Sequence, residues 1–252
     1  MKFSKLLKNK LFYLITGIVL NILSCVCSFY YYREKFFFSP SNFLLEFFTI
    51  NWCVWNSIIT IIYNFREIKA IKSRYHKNQG IFDLVVPTSN LATIVIFTAS
   101  YLIKGSNFFG IKPNAFWWTY TLTWHFVAPI VALIYFLKFV KTKKTDFNNS
   151  KKIFSPTFFT ITSILVVYFL ANLLRRFLVH ENEFYPKGRF RKFFIWWFDY
   201  FEKGEIVWLL FWITVSLFLF WLSLYLLLKV KKKCFPKTIY SNFNKETRTS
   251  VS

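Results

Sequence analysis

Glycine is scarce in this chain of 252 residues, with 6 in all, and histidine scarcer, with 3: His76, His125 and His180. No Gly-rich phosphate loop, no Gly-x-Ser-x-Gly elbow and no His-Glu-x-x-His zinc motif is present. The three histidines show no metal-ligand spacing, so neither a metal nor a cofactor is expected. Cysteine offers no disulfide framework: Cys25, Cys27 and Cys53 fall inside apolar runs as small hydrophobes, and Cys234 in a basic stretch. Acidic residues are few as well, 11 against 33 lysines and arginines, for a formal net charge of +22. That excess reads first as a nucleic-acid surface. Most of the basic residues lie between apolar runs, however, which is a topology signal, and no nucleic-acid partner is expected.

What is abundant is apolar and aromatic. The chain is 55% hydrophobic and 17% charged, with 35 phenylalanines and 14 tyrosines. This excludes an ordinary soluble domain. Together with the shortage of glycine, the aromatic excess suggests coding from an AT-rich genome. The hydrophobicity falls into runs of about 20 residues, the length that crosses a bilayer. They lie at about 11–32, 43–65, 81–103, 116–140, 154–174 and 205–230. The expected fold is an all-α, polytopic membrane bundle of six helices. Residues 1–10 form a basic N-terminus, and 231–252 a basic, disordered tail.

Orientation follows from the loops. Lys2, Lys5, Lys8 and Lys10 precede the first run, and Arg66, Lys69, Lys72, Arg74 and Lys77 follow the second. Lys141, Lys143, Lys144, Lys151 and Lys152 follow the fourth run, and a lysine cluster follows the sixth. The positive-inside rule puts these segments and both termini in the cytoplasm of a bacterial cell membrane. The basic residues of the last outer loop are partly balanced by Glu181, Glu183, Asp199, Glu202 and Glu205. Within that loop the aromatic stretch 191–204 reads as an interfacial belt. Residues 22–25 look like a lipoprotein processing site ahead of Cys25, but the apolar run continues well past it, so a retained first span is expected.

The stretch FWWTYTLTWHFVAPIVALIYFLKFV, residues 116–140, carries His125 and, four residues on, Pro129. Proline cannot donate to the carbonyl of His125, so a freed acceptor and a kink are expected beside the imidazole. A titratable group at membrane depth faces the bundle interior and invites a functional reading; the plain alternative is interhelical packing glue. In the second run, Glu46, Thr49, Cys53, Asn56 and Thr60 recur at steps of three and four, forming one small, polar stripe that should face other helices. The helical rise places Thr49 roughly 9 Å and His125 roughly 13 Å below the outer ends of their spans. A hydroxyl and an imidazole at one depth can act as nucleophile and base. Glu46 would tune the pair, Arg175 would receive an anionic substrate group, and Asn90 or Asn172 would stabilise an oxyanion.

The blocks FFTINW (47–52) and LTWHFVAPIVALIYFLKF (122–139) resemble the two signature regions of a six-span family. That family includes the androgen-induced and androgen-dependent intramembrane threonine hydrolases of animals and many uncharacterised bacterial members. Its members open span two with Phe-Thr or Leu-Thr and span four with Leu-x-His-x-x-x-Pro. Phe184-Tyr185-Pro186 and Gly204 are similar to its stretch before the last span. The resemblance implies Thr49 as nucleophile, His125 as its partner and membrane lipid esters of fatty acids as substrates. The chain departs from the pattern in having Asn51 and Asn56 where members often carry an asparagine three or four residues after the threonine, and Tyr135 where bacterial members frequently carry an acid. The alternative of another class is a non-enzymatic membrane protein that binds or transports a small or lipid ligand. Internal repeats with paired helix breaks would mark it, and none is convincing here.

Overall fold

The computed structural model describes residues 2–36, 52–72, 81–104, 115–143, most of 156–170, 206–236 and 239–240. Thr49, Glu46, Asn172, Arg175 and the aromatic stretch 191–204 lie outside the described residues. Helix dominates, as expected. The long elements are α1 (Lys2–Phe36), α2 (Trp52–Lys72) and α3 (Phe82–Lys104). They are followed by α4 (Ala115–Leu122), a π-turn (Thr123–Val127), α5 (Ala128–Phe139) and, late in the chain, α6 (Ile206–Cys234). Helical residues also occur between 156 and 170.

Among the described residues, three helical segments, not six, are long and apolar enough to cross a membrane: Asn9–Tyr30, Phe82–Ala99 and Thr214–Cys234. Residues 43–51 of the second predicted span and parts of the fifth lie outside the described residues; within them, two local features shorten the apolar stretches. Helix α2 spends its interior on Asn56, Ser57, Thr60 and Asn64, then ends in Arg66, Glu67, Lys69 and Lys72. The predicted fourth span is helical as far as Phe139, but the π-turn divides it, leaving Thr123–Phe139 as a shorter apolar piece.

The packing is inverted relative to a water-soluble bundle. Asn21, Ser24 and Ser28 of α1 are buried together with Leu14 and Ile18, while Phe12, Ile15, Val19, Ile22 and Val26 are exposed. Helix α2 repeats the pattern, with Asn56, Ser57, Thr60 and Asn64 buried and Ile58, Ile62 and Phe65 exposed. Polar groups gain from one another's company away from water, and large apolar side chains lose nothing against lipid. The arrangement is compatible with a membrane protein.

Helix α1 packs against α2 and, through its other neighbours, against α4, the π-turn and α5. Gly17 allows close approach: a Cβ there would lie 2.7 Å from Asn64 Nδ2. Asn64 Nδ2 donates to Leu14 O at 3.4 Å, and Asn21 Nδ2 to Gly17 O at 2.7 Å. Helix α3 is the most buried of the three apolar helices and packs against α2, α5 and α6. Pro87 lies in its second turn, and the helix runs on to Lys104. One apolar cluster joins Leu14, Tyr63, Leu84, Phe136, Leu224 and Leu227; another joins Val85, Ala92, Ile161 and Phe220.

Two features depart from the sequence reading at the C-terminal end. Helix α6 continues past Val230 to Cys234, and Lys231, counted by charge with the tail, is fully buried. Its Nζ donates to Phe136 O at 2.6 Å and Val140 O at 2.7 Å. These carbonyls belong to the end of α5, where Val140 turns extended: Phe136 O already accepts the Val140 N–H at 3.3 Å and takes the lysine as a second donor, while Val140 O lies beyond the helical ladder. Beyond it, Thr142–Lys143 pairs in parallel with Ile239–Tyr240, a two-residue strand pair that periodicity does not announce.

Candidate functional site

The site is built around the π-turn. Pro129 sits at the start of α5 and has no N–H for the carbonyl of His125. The chain answers by widening into a π-turn: the Ala128 N–H bonds to Thr123 O, five residues back. The extra residue per turn relieves the clash between the proline ring and the preceding turn and carries His125 on the widened segment.

Both ring nitrogens of His125 are engaged. Nδ1 lies 2.9 Å from Thr121 O, and Nε2 lies 3.1 Å from Cys53 Sγ on α2. A carbonyl oxygen only accepts, so Nδ1 carries the proton and Nε2 presents its lone pair. The Cys53 thiol then donates to Nε2. Phe97 of α3 stacks on the imidazole with centroids 4.0 Å apart and planes 27° off parallel, and Phe126 meets Phe97 edge-on. Carbonyl, thiol and ring face together fix the imidazole in one plane.

A second set of bonds holds α2, α3 and the π-turn in register. Trp124 Nε1 donates to Ser57 Oγ at 2.6 Å, one helical turn beyond Cys53. Ser89 Oγ donates to Asn56 Oδ1 at 2.7 Å, and Asn56 Nδ2 to Asn90 Oδ1 at 3.3 Å. Asn90 Nδ2 donates to Thr60 Oγ1 at 3.1 Å and to Val86 O at 2.9 Å. Thr93 Oγ1 returns a bond to Ser89 O. Burial of this many amides and hydroxyls is tolerable because each finds a partner.

The polar stripe read from sequence is therefore real in its described part: Cys53, Asn56 and Thr60 are all buried against other helices. Asn56 and Asn90 are brought together as scaffold. Both amide protons of Asn90 are used within the network, so it is not a spare oxyanion donor. Cys53 is the residue that sequence reasoning undervalued, as a small hydrophobe. Its signal was present, since it lies four residues after Thr49 on the same stripe. Ser57, Ser89, Phe97 and Trp124 gave no distinguishing signal, because serine and aromatic residues recur in every apolar run.

Neither pair of residues described here is a metal site, and among the described residues no group of three or more His, Cys, Asp and Glu side chains is placed to hold a metal ion. In comparisons with known proteins, no family model, no curated protein and no solved structure matches the chain.

Proposed function

We propose that this chain is a six-span protein of a bacterial cell membrane, with both termini cytoplasmic, that hydrolyses lipid esters of fatty acids. The observation that supports it most is the His125 imidazole, anchored through Nδ1 with its Nε2 lone pair turned to the α2 stripe. That is the arrangement a general base needs: one nitrogen fixed by an acceptor, the other facing a group that can lose a proton. A merely adhesive histidine requires neither a nucleophile as its partner nor a stacked ring holding its plane.

In this reading a nucleophile on the α2 stripe loses its proton to Nε2 and attacks the acyl carbonyl. The leaving alcohol takes the proton back, and water, activated by the same nitrogen, releases the fatty acid. The resemblance implies Thr49 as that nucleophile, and Arg175, at the end of the fifth predicted span, would receive an anionic substrate end. The substrate arrives from the lipid, so a site among apolar helices suits it. Ligand transport finds less support, because Asn56, Thr60, Ser89 and Asn90 bond to one another instead of lining a path.

The test is turnover of a fatty acid ester of a hydroxy fatty acid by the purified chain in detergent. Wild type is expected to release fatty acid, and His125→Ala to lose about 10²–10⁴-fold in rate while unfolding within a few degrees of wild type. A folded wild type that hydrolyses no such ester overturns the reading.

A further inference from the structure

A thiol faces the base. Cys53 is buried on α2, carries no disulfide, and its Sγ is 3.1 Å from the nitrogen that bears the lone pair. A thiol is intrinsically the better candidate to meet an imidazole. Sulfur is the stronger nucleophile, and an adjacent base that takes the thiol proton during attack is what activates it. Helix α1, which packs against α2 and the π-turn, carries buried hydroxyls. They belong to Ser24 and Ser28, and neither has a hydrogen-bond partner among the described residues. Buried hydroxyls without partners are uncommon, and donors held ready for an oxyanion are one reason to keep them.

We infer that Cys53 is the group acylated during turnover, so that the covalent intermediate is a thioester on Cys53 with His125 as its base. This rests on the hydrolase reading and names its nucleophile. Sγ forms a bond to the acyl carbon as its proton passes to Nε2. The ester C–O bond breaks, and the leaving alkoxide takes that proton from Nε2. Water then gives a proton to Nε2 and adds to the thioester carbonyl. The S–C bond breaks, the proton returns to sulfur, and a free fatty acid leaves. One ester and one water become one alcohol and one acid.

The experiment uses the full chain in detergent with a long-chain p-nitrophenyl ester bearing a terminal alkyne. Reactions are quenched in acid, and the protein-bound acyl group is tagged and mapped by mass spectrometry. The expected result is an adduct on the peptide containing Cys53, removed by neutral hydroxylamine, which cleaves thioesters and spares oxygen esters. The adduct is absent from Cys53→Ala, and forms at least 100-fold more slowly in His125→Ala. Cys53→Ser, close in volume, unfolds like wild type yet yields no hydroxylamine-sensitive adduct. Turnover through a hydroxylamine-resistant adduct on Thr49, or turnover unchanged in Cys53→Ala, overturns the assignment and leaves the hydrolase reading standing. A folded wild type with neither turnover nor adduct overturns both.

Discussion

Lys231 Nζ donates to the carbonyl of Phe136 at 2.6 Å and, through the same nitrogen, to that of Val140, tying α6 to the end of α5. The side chain also lies over the Phe136 ring, 4.0 Å from its centroid. One buried lysine thus satisfies the Val140 carbonyl beyond the helix end and adds a second donor to that of Phe136, which already accepts the Val140 N–H. Lys231→Met keeps the packing volume and removes the donor, stranding the Val140 carbonyl and taking one of two donors from Phe136 O. A loss of about 2–4 kcal/mol is expected. Thermal unfolding in detergent checks it; an unchanged midpoint would mean the carbonyls find water.

The Asn56–Asn90 bond gives a second prediction. Asn90→Ala removes donors to Thr60 and Val86 and the acceptor for Asn56. The expected cost is about 1–2 kcal/mol. A double-mutant cycle with Asn56→Ala should return a coupling of about 0.6 kcal/mol, the usual size for interhelical bonds of this kind in membranes. Additive losses would remove the bond from the account of how α2 and α3 are held.

Gly17 and Asn64 are coupled by space. A methyl group at 17 meets Asn64 Nδ2 at 2.7 Å. Gly17→Ala alone is expected to cost about 1–2 kcal/mol through overpacking between α1 and α2. In an Asn64→Ala background, which empties that volume, the same change should be nearly neutral. Equal costs in the two backgrounds would point to something other than the clash.

Pro129→Ala restores the N–H that the π-turn exists to do without. The expected outcome is annealing toward regular α-helix, with the imidazole displaced from Cys53. Ester turnover should drop at least about 10-fold, since misplacement by an ångström is costly to catalysis. Far-ultraviolet circular dichroism should barely change. Wild-type turnover in this variant would show that the widened turn is not what positions His125.

The proposed orientation is checked at Cys234, exposed at the end of α6. With the C-terminus cytoplasmic, a membrane-impermeant maleimide should label it only after the cells are opened. Labelling of Cys234 in intact cells would invert the topology.

Sequence alone determined the helical class, the positions of the apolar runs and the small, polar face of α2, because burial writes a period of 3.6 into the order of residues. It also determined that His125 and Pro129 belong to one turn, since that relation is local. The partner of His125 was a different matter. Depth along two spans put Thr49 and His125 at a similar level, but depth carries no rotation, and among the described residues the group at Nε2 is Cys53. Nor could order reveal that Pro129 would be met by a π-turn, which depends on what the neighbouring helices allow. Lys231 shows the same limit. Counted along the chain it belongs to a cluster of lysines that reads as tail. Only the packing of α6 on α5, 95 residues earlier, supplies the carbonyls that make its burial favourable.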